Sequence, residues 1–293
     1  MNSIGMAVVP AADFTRSELT ALWNQAYEGY FVPIAFDEQQ FARHLRRGEV
    51  DLALSRVMVV DGEPCGISLA GRRQGRAYLA GFGIASARRR QGLARQLIEA
   101  QAGAFPAARI DQAFLEVIEQ NTARALYRQA GFEEVRMLDV FEWAFEARQA
   151  NAGGMLDAAE LTAIHDACSA LSRPTWRREL PTVRDAIANE GAIALGVRRG
   201  AAVVGYAVMA PAGATPQSTL FDAGAIDEPA AHDLLDALAT ARPGTRWRLV
   251  DEPAHSPLSN AATARGTSTV IRQVEMALKL EPDKNNAPVP SPS

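Results

Sequence analysis

A basic turn between residues 86 and 94 carries the clearest chemical signal in the chain. It reads SARRRQGLA, in which Arg89, Gly92 and Ala94 fit the pattern R-x-x-G-x-A. A glycine lets the main chain approach a ligand closely, the small Ala94 keeps the next turn slim, and guanidinium groups pair with phosphate oxygens. The residue types and their spacing therefore predict a pyrophosphate site.

The flanking patterns explain how this turn is positioned. Residues 76–85 are apolar and typical of a strand, and residues 91–104 show the spacing of an amphipathic helix. The first N–H groups of a helix lack helical partners, and the helix dipole places positive charge beside them. A strand that delivers the chain to a helix N-terminus in this way favours anion binding.

A second strand and helix follow at residues 112–119 and 121–130. The segment FLEVIEQNTARALYRQAGF, residues 114–132, places a tyrosine near the end of the helix and Gly131 where the helix should stop. Taken in order, the two segments resemble the acetyl-CoA motifs of the GNAT superfamily of N-acetyltransferases. The resemblance extends over residues 6–147.

The resemblance implies an enzyme that moves an acetyl group from acetyl-CoA to a primary amine by direct attack. It also implies a mixed α/β fold, with a central mixed sheet flanked by helices. The cofactor residues implied by the matching positions are Gly83, Ile84 and Ala85 for the pantetheine arm and Arg89, Arg90, Gln91, Gly92, Leu93 and Ala94 for the pyrophosphate. The family has an asparagine seven positions before its tyrosine, where this chain has Gln120 followed by Asn121, so either amide could contact the cofactor arm. Asn121 could instead cap its helix.

Tyr127 matches the position of the family's general acid. A phenol has an ordinary pKa of about 10 and can protonate a departing thiolate of similar basicity. The alternative is that Tyr127 packs at the core end of its helix. For the general base the sequence offers Glu116, with Glu119 and Glu28 as alternatives, and each could equally lie at a solvated edge; a chain of waters could also take the proton.

The expected acceptor site lies after the first helix. A strand at residues 6–10 and a helix opened by the Thr15–Glu18 capping box precede a loop containing Tyr27, Tyr30 and Phe31. In the family this loop borders the acceptor, so these three aromatic residues are candidate substrate contacts; packing at the helix end is the alternative. A second helix from Asp37 and a hairpin about Asp61 complete the pattern.

The second half of the chain repeats the first weakly. Residues 1–148 form the predicted catalytic domain, 149–156 a linker, 157–280 a degenerate GNAT-like domain and 281–293 a disordered tail. In the second copy, Asp227, Glu228 and Pro229 replace the arginines and glycine. Carboxylates at that helix N-terminus would repel a pyrophosphate, so only the first domain is expected to bind acetyl-CoA.

Composition limits the remaining functions. The 293 residues carry a net charge of −4, which disfavours nucleic acid as a partner, and nothing in the N-terminal sequence suggests a signal peptide or membrane span. Two cysteines fit a reducing compartment, so we expect a cytoplasmic, bacterial protein. No metal is expected, because His165-x-x-Cys168 lacks a second ligand pair.

The expected partner is a small-molecule or peptide amine, and a homodimer is left open as an oligomeric state. Two other functions remain open from the sequence. The chain could be a non-catalytic module that binds or senses acyl-CoA, or a transferase that uses a longer acyl donor.

Overall fold

The computed structural model describes residues 5–149, 153–213 and 215–280. The chain divides into two compact units. Unit 1 comprises the residues up to Val135 together with those from Glu275 onwards, and unit 2 runs from Arg136 to Val274.

Unit 1 contains a mixed sheet with helices on both faces. Its elements in chain order are β1 Met6–Pro10, α1 Arg16–Ala26, α2 Glu38–Arg47, β2 Arg56–Val60, β3 Glu63–Arg73, β4 Arg76–Ile84, α3 Leu93–Ala104, β5 Gln112–Ile118 and α4 Ala123–Gln129. The strand order is β1-β2-β3-β4-β5, and the final strand of the chain follows β5. All pairs between β1 and β4 are antiparallel, whereas β4 and β5 are parallel.

Unit 2 repeats this architecture. Its elements are β6 Glu133–Trp143, whose residues from Arg136 onwards belong to it, β7 Gly154–Met155, α5 Ala158–Leu171, α6 Leu180–Glu190, β8 Ile193–Arg199, β9 Ala202–Met209, β10 Gln217–Ala225, α7 Glu228–Ala241, β11 Arg246–Pro253, α8 Pro257–Ala264 and the first part of β12 Thr269–Lys279. The strand order is β7-β8-β9-β10-β11-β6, with β10 and β11 parallel. The predicted α/β class, a mixed sheet flanked by helices in each half, is therefore present.

The division into units differs from the boundary expected near residue 148. Strand β6 pairs with β11, with Trp143 opposite Trp247 and Phe141 opposite Leu249, so its residues from Arg136 belong to unit 2. The last residues of β12, from Glu275, belong to unit 1. Part of the segment expected as a linker forms β7, residues 150–152 lie outside the described residues, and so does the tail expected at 281–293.

The sheet of unit 1 opens where the site is expected. The parallel ladder between β4 and β5 ends at Tyr78 and Phe114, and the register of β4 against β3 shifts next to Ala80. Strands that stop pairing leave a cleft at their carboxyl ends, which is where ligands bind in open α/β sheets. The same interruption occurs in unit 2, where the ladder between β10 and β11 ends at Leu220 and Leu249.

Helices α1 and α3 cover the sheet of unit 1. Leu93 and Leu97 of α3 pack with Met58, Val60 and Ile84 in one buried cluster. At Gly81, a Cβ atom would lie 2.1 Å from the indole ring of Trp23 on α1. Only glycine allows this close approach of helix and strand, so Gly81 holds α1, and the loop after it, against β4.

Candidate functional site

The turn before α3 presents free main-chain donors. Arg90 and Gly92 both have positive φ angles, 62° and 80°, which bends the chain sharply ahead of Leu93. In the part of the chain that the structure describes, the N–H groups of residues 90–94 donate to no acceptor. A Cβ at Gly92 would meet nothing within 4 Å, so space lies open in front of the turn. This geometry fits the pyrophosphate of a coenzyme A ester.

Arg89 is placed differently from the sequence expectation. Its Nε donates to the Ile84 carbonyl at 3.1 Å, and its Nη2 donates to the carbonyls of Ala26 and Glu28 at 2.9 and 2.8 Å. The guanidinium therefore holds the loop after α1, because a fork of donors matches several carbonyls at once. Arg89 and Arg90 are both exposed at the turn, and Arg88 is half-buried.

Two of the groups expected to contact pantetheine are already used within the chain. The Ala85 N–H donates to the Cys65 carbonyl at 2.8 Å, and the Ile84 carbonyl accepts from Arg89. Gly83 is half-buried beside Ala26, which a Cβ on Gly83 would approach to 3.1 Å. Contacts with the pantetheine arm would therefore have to come from the other main-chain groups of residues 83–85.

Tyr127 lies buried on α4 among aromatic rings. Its ring makes edge contacts with Phe82 of β4 at 5.8 Å and with Phe132 at 6.0 Å. Burial raises the pKa of the Tyr127 phenol well above its ordinary value, and the nearby phenols of Tyr27 and Tyr30 raise it further. Tyr127 therefore stays protonated throughout the neutral range and can act as an acid but not as a base.

The aromatic residues at the end of α1 and in the following loop form a continuous series of ring contacts. Tyr27 stacks on Trp23 at 4.2 Å, Tyr30 contacts Tyr27 edge-on at 5.2 Å, and Phe31 contacts Tyr30 edge-on at 5.4 Å. Phe31 is 56% exposed. The three residues expected at the acceptor site thus lie together, and Tyr27 and Tyr30 are close enough to Tyr127 to influence its phenol.

The candidate bases have partners in the structure. The Tyr78 hydroxyl donates to Glu116 Oε2 at 2.6 Å, where β4 and β5 lie side by side. The Ser86 hydroxyl donates to Glu28, which connects the aromatic loop to the turn before α3. The sequence analysis does not predict this contact of Ser86. The only local signal for it is the position of Ser86 just before the three arginines.

The two amide residues before α4 differ in their surroundings. Asn121 Oδ1 accepts from the Ala123 N–H at 2.9 Å, which forms an Asx turn one residue before Thr122, the N-cap of α4. Gln120 is exposed. Asn121 is therefore not the N-cap of α4, and the contact of either amide with the cofactor arm stays a prediction.

The corresponding helix start in unit 2 is closed. Asp227 caps α7 through a 2.8 Å bond from the Ala230 N–H, and Arg199 donates to both carboxylate oxygens of Asp227 at 3.0 and 3.2 Å. Pro229 in the first turn has no N–H to offer. This helix N-terminus is therefore occupied by the protein's own side chains.

Comparison with known proteins identifies the first half. Residues 24–143 match the family model described as an acetyltransferase (GNAT) domain. This range contains the basic turn, Tyr127 and the aromatic loop. Residues 24–143 are a GNAT acetyltransferase domain. A search of curated proteins found no match to the chain.

Solved structures share the fold of the GNAT domain and of the unit that follows it. A tandem GNAT protein from the clavulanic acid biosynthesis pathway, solved without AcCoA, matches with a TM-score of 0.67 at 14% identity and covers 96% of this chain and 100% of its own. A GCN5-related N-acetyltransferase from Sphaerobacter thermophilus gives 0.63 at 15% identity, covering 94% of this chain and 95% of its own. One from Anabaena variabilis gives 0.64 at 14%, covering 93% and 72%. At these identities the likeness concerns the fold.

Two further findings concern metals and membranes. Among the residues of the GNAT domain and of unit 2 that the structure describes, no group of three or more His, Cys, Asp and Glu side chains could hold a metal ion. Of the described helices, none has the length and apolar character needed to cross a bilayer.

Proposed function

We propose that unit 1 catalyses transfer of an acetyl group from acetyl-CoA to the primary amine of a small molecule or peptide. The observation that carries the proposal is the turn before α3, where the N–H groups of residues 90–94 donate to no acceptor among the described residues and a Cβ at Gly92 would meet nothing within 4 Å. Such donors, together with the helix dipole, favour the binding of phosphate oxygens. Acetyl-CoA, when bound, supplies an acetyl thioester at the cleft between β4 and β5.

The protein's own residues would position the amine and manage protons. Tyr27, Tyr30 and Phe31 contact one another edge-on, the Tyr27 hydroxyl accepts from the Phe82 N–H of β4, and the three rings supply apolar and cation-binding faces for an amine. Tyr127 holds a proton at Oη for the leaving thiolate, and burial keeps that proton in place. Holding both reactants in one geometry removes much of the entropic barrier to a bimolecular reaction.

The amine must lose a proton before or during attack. Glu116 is the proposed base, because it follows the last paired residue of β5, Phe114, at the edge of the opened ladder, where the Tyr78 hydroxyl holds its carboxylate in place. Glu28 remains the alternative, since it belongs to the aromatic loop itself. Replacing each by glutamine separates them: the base is the residue whose loss lowers kcat most at neutral pH and least at high pH, where the free amine predominates.

Release of free thiol from acetyl-CoA in the presence of a panel of amines tests the proposal. The panel should include alkyl amines, amino acids, aminoglycosides and peptide N-termini, with buffer alone as the control. Amine-dependent release together with a product heavier by one acetyl group supports the transferase. Tight binding of acetyl-CoA without turnover of any amine would favour a binding module, and faster turnover of longer acyl-CoA esters would favour a different donor.

A further inference from the structure

Unit 2 encloses a cluster of charged side chains that the proposed reaction does not use. Arg178, in the turn before α6, is buried, and its Nε donates to Asp222 Oδ1 at 2.7 Å. Its Nη1 donates to the carboxylate of Glu252 and, at 3.0 Å, to the Asp251 carbonyl. Its Nη2 donates to the Ala223 carbonyl at 2.5 Å. Burying ions is costly even when they are paired.

The cluster has an excess of negative charge and of acceptors. One guanidinium faces the carboxylates of Asp222 and Glu252, and the buried His165 ring has its Nε2 3.7 Å from Asp222 Oδ2. One negative charge is left when both carboxylates are ionised and His165 is neutral. The Tyr206 hydroxyl donates to Asp222, and the Ser256 hydroxyl donates to Glu252. Each of the four carboxylate oxygens therefore accepts one protein donor and retains a second lone pair for another donor.

A cavity touches this cluster. Its volume is about 40 Å³, and its wall includes Arg178, Tyr206, Asp222, Glu252 and Ser256. A space of this size holds a few water-sized groups, because one water needs roughly 10–15 Å³ by the same measure. Leu171, which is 59% exposed, marks the solvent side, and the remaining apolar wall is formed by Pro174, Pro253, Pro257 and Leu258.

The location in the fold is that of a ligand cleft. The parallel ladder of β10 and β11 ends at Leu220 and Leu249, and Asp222 and Glu252 follow directly on the two strands. Unit 1 has its cleft at the equivalent point of its sheet. The α7 N-terminus of unit 2 is closed by Asp227 and Arg199, so a coenzyme A ester has no phosphate cradle there.

The side chains that line the cavity favour a cation over an anion. At least four of the five guanidinium N–H donors of Arg178 are bound to protein acceptors, so an anion would find little positive charge to pair with. Cys168, also in the wall, is unsuited to covalent chemistry, because burial and the nearby carboxylates raise the pKa of its thiol to about 12. A primary ammonium brings three donors and one positive charge.

We infer that this cavity of unit 2 is a binding site for the ammonium group of a small primary amine with a short apolar chain. The ammonium lies against Asp222 and Glu252, and the chain leaves past Leu171 and Leu258. This is a second amine site, distinct in its residues from the acceptor site proposed for unit 1, and it does not depend on unit 1 being an active transferase.

The test uses the full chain and n-butylamine at neutral pH, with n-butanol and butyrate as neutral and anionic controls. Calorimetry measures binding, and hydrogen exchange of peptides covering residues 165–178 and 249–258 locates it in unit 2. We expect saturable binding of n-butylamine with protection of both peptides, and neither effect with the two controls. Equal binding of n-butanol, or no protection of these peptides at saturating amine, would overturn the inference.

Three variants test whether the amine binds in this cavity. Glu252→Gln removes the excess charge while keeping the side-chain size, and we expect at least tenfold weaker binding at this site. Cys168→Met fills the cavity without changing any charge and should also abolish the protection, so it decides the question if Glu252→Gln does not fold. Asp166→Asn, on a residue whose side chain is 70% exposed on α5, is the matched control and should bind as the unmodified protein does. If both cavity variants retain full binding, the cavity is not an amine site.

Discussion

Two side chains in unit 1 illustrate how one residue can serve the site in different ways. Tyr127 is buried with its phenol near two other tyrosines, which fixes its protonation state. Arg89 makes no use of its charge for an anion and instead connects three carbonyls from α1, the aromatic loop and β4. Tyr127 is thus a candidate for the chemical step, and Arg89 is a positioning residue for the acceptor loop.

Replacing Tyr127 by phenylalanine should lower turnover without weakening binding of acetyl-CoA. The ring still packs against Phe82 and Phe132, and only the hydroxyl is lost. General-acid help is worth roughly 10²–10⁴-fold, so kcat should fall at least ~10-fold while KM for acetyl-CoA changes little. The measurement is steady-state kinetics with an amine found by the panel above.

The pH profile supplies the control for this variant. Because burial holds the pKa of Tyr127 far above its ordinary value, the protonated phenol persists as pH rises, and its loss through ionisation lies beyond the working range. We therefore expect that kcat of the unmodified protein does not fall at pH 10 relative to kcat of Tyr127→Phe. An unchanged kcat in Tyr127→Phe would show that this residue only packs.

Arg89→Lys should affect the amine more than the cofactor. Lysine keeps the charge but cannot reach three carbonyls with a planar fork, so the loop carrying Tyr27 and Tyr30 loses its tie to β4. We expect KM for the amine to rise at least threefold, with a smaller change in the dissociation constant for acetyl-CoA. Arg90→Lys, on the exposed neighbour, is the matched control. A larger change in the dissociation constant for acetyl-CoA than in KM for the amine would indicate that Arg89 binds phosphate.

Arg178→Met should destabilise unit 2. It removes the partner of two buried carboxylates, and breaking such a buried pair costs about 3–5 kcal/mol of unfolding free energy. Arg199→Met removes an arginine whose side chain is 53% exposed from its pair with Asp227, and we expect a much smaller loss, because solvent screens exposed pairs. Denaturant unfolding of both variants measures the contrast, and equal losses would mean that the buried cluster contributes no more than a surface pair.

The N-termini of α3 and α7 occupy corresponding positions in the two units but differ in the main-chain donors that they offer to an anion. Both helices follow a strand that lies beside a parallel neighbour. At α3 the chain turns through Arg90 and Gly92 and leaves its donors free, whereas at α7 Asp227 and Pro229 occupy or remove them. The difference between the two units therefore depends on a few residues at one turn.

Gly92→Asp and Gly92→Asn test this turn as a pair. Both side chains are similar in size and tolerate positive φ better than most residues, so strain at Gly92 is matched. Only aspartate places a carboxylate where phosphate charge must lie. We expect the aspartate variant to bind acetyl-CoA at least 100-fold more weakly than the asparagine variant, with similar melting temperatures. Equal affinities for acetyl-CoA would place the pyrophosphate elsewhere.

Local signals in the sequence predicted most elements correctly. The capping boxes at Thr15 and Asp37 form with both reciprocal bonds, and the Asp61–Gly62 turn joins β2 to β3. These features depend on neighbours within a few residues. Helix α8 was not predicted, although Ser256 caps it and Pro257 occupies its first turn, a recognisable pattern for a helix start.

Contacts between distant residues could not be read from the sequence. Arg178 meets Asp222 and Glu252 across 44 and 74 residues, and no local pattern indicates their convergence. The role of Arg89 was also missed, because its acceptors at Ala26 and Glu28 lie 63 and 61 residues earlier. Motif spacing located the anion turn, but the direction of each side chain depends on the folded loop around it.

The whole chain repeats one architecture, and the two units carry different side chains at corresponding positions. Each unit has the same strand order and one pair of parallel strands whose ladder stops early. The GNAT domain keeps the free helix N-terminus suited to a coenzyme A ester. Unit 2 closes that position and instead buries charged side chains beside a small cavity.

Calorimetric titration of the full chain with acetyl-CoA tests the central claim most directly. Of the two corresponding helix starts in the described residues, α3 leaves its main-chain donors free and α7 does not. We therefore predict one binding site per chain and no detectable site in Gly92→Asp. The asparagine variant, with one weakened site, confirms that the loss comes from charge rather than from unfolding. A stoichiometry of two, or a site that survives in Gly92→Asp with full affinity, would contradict the assignment of acetyl-CoA binding to unit 1.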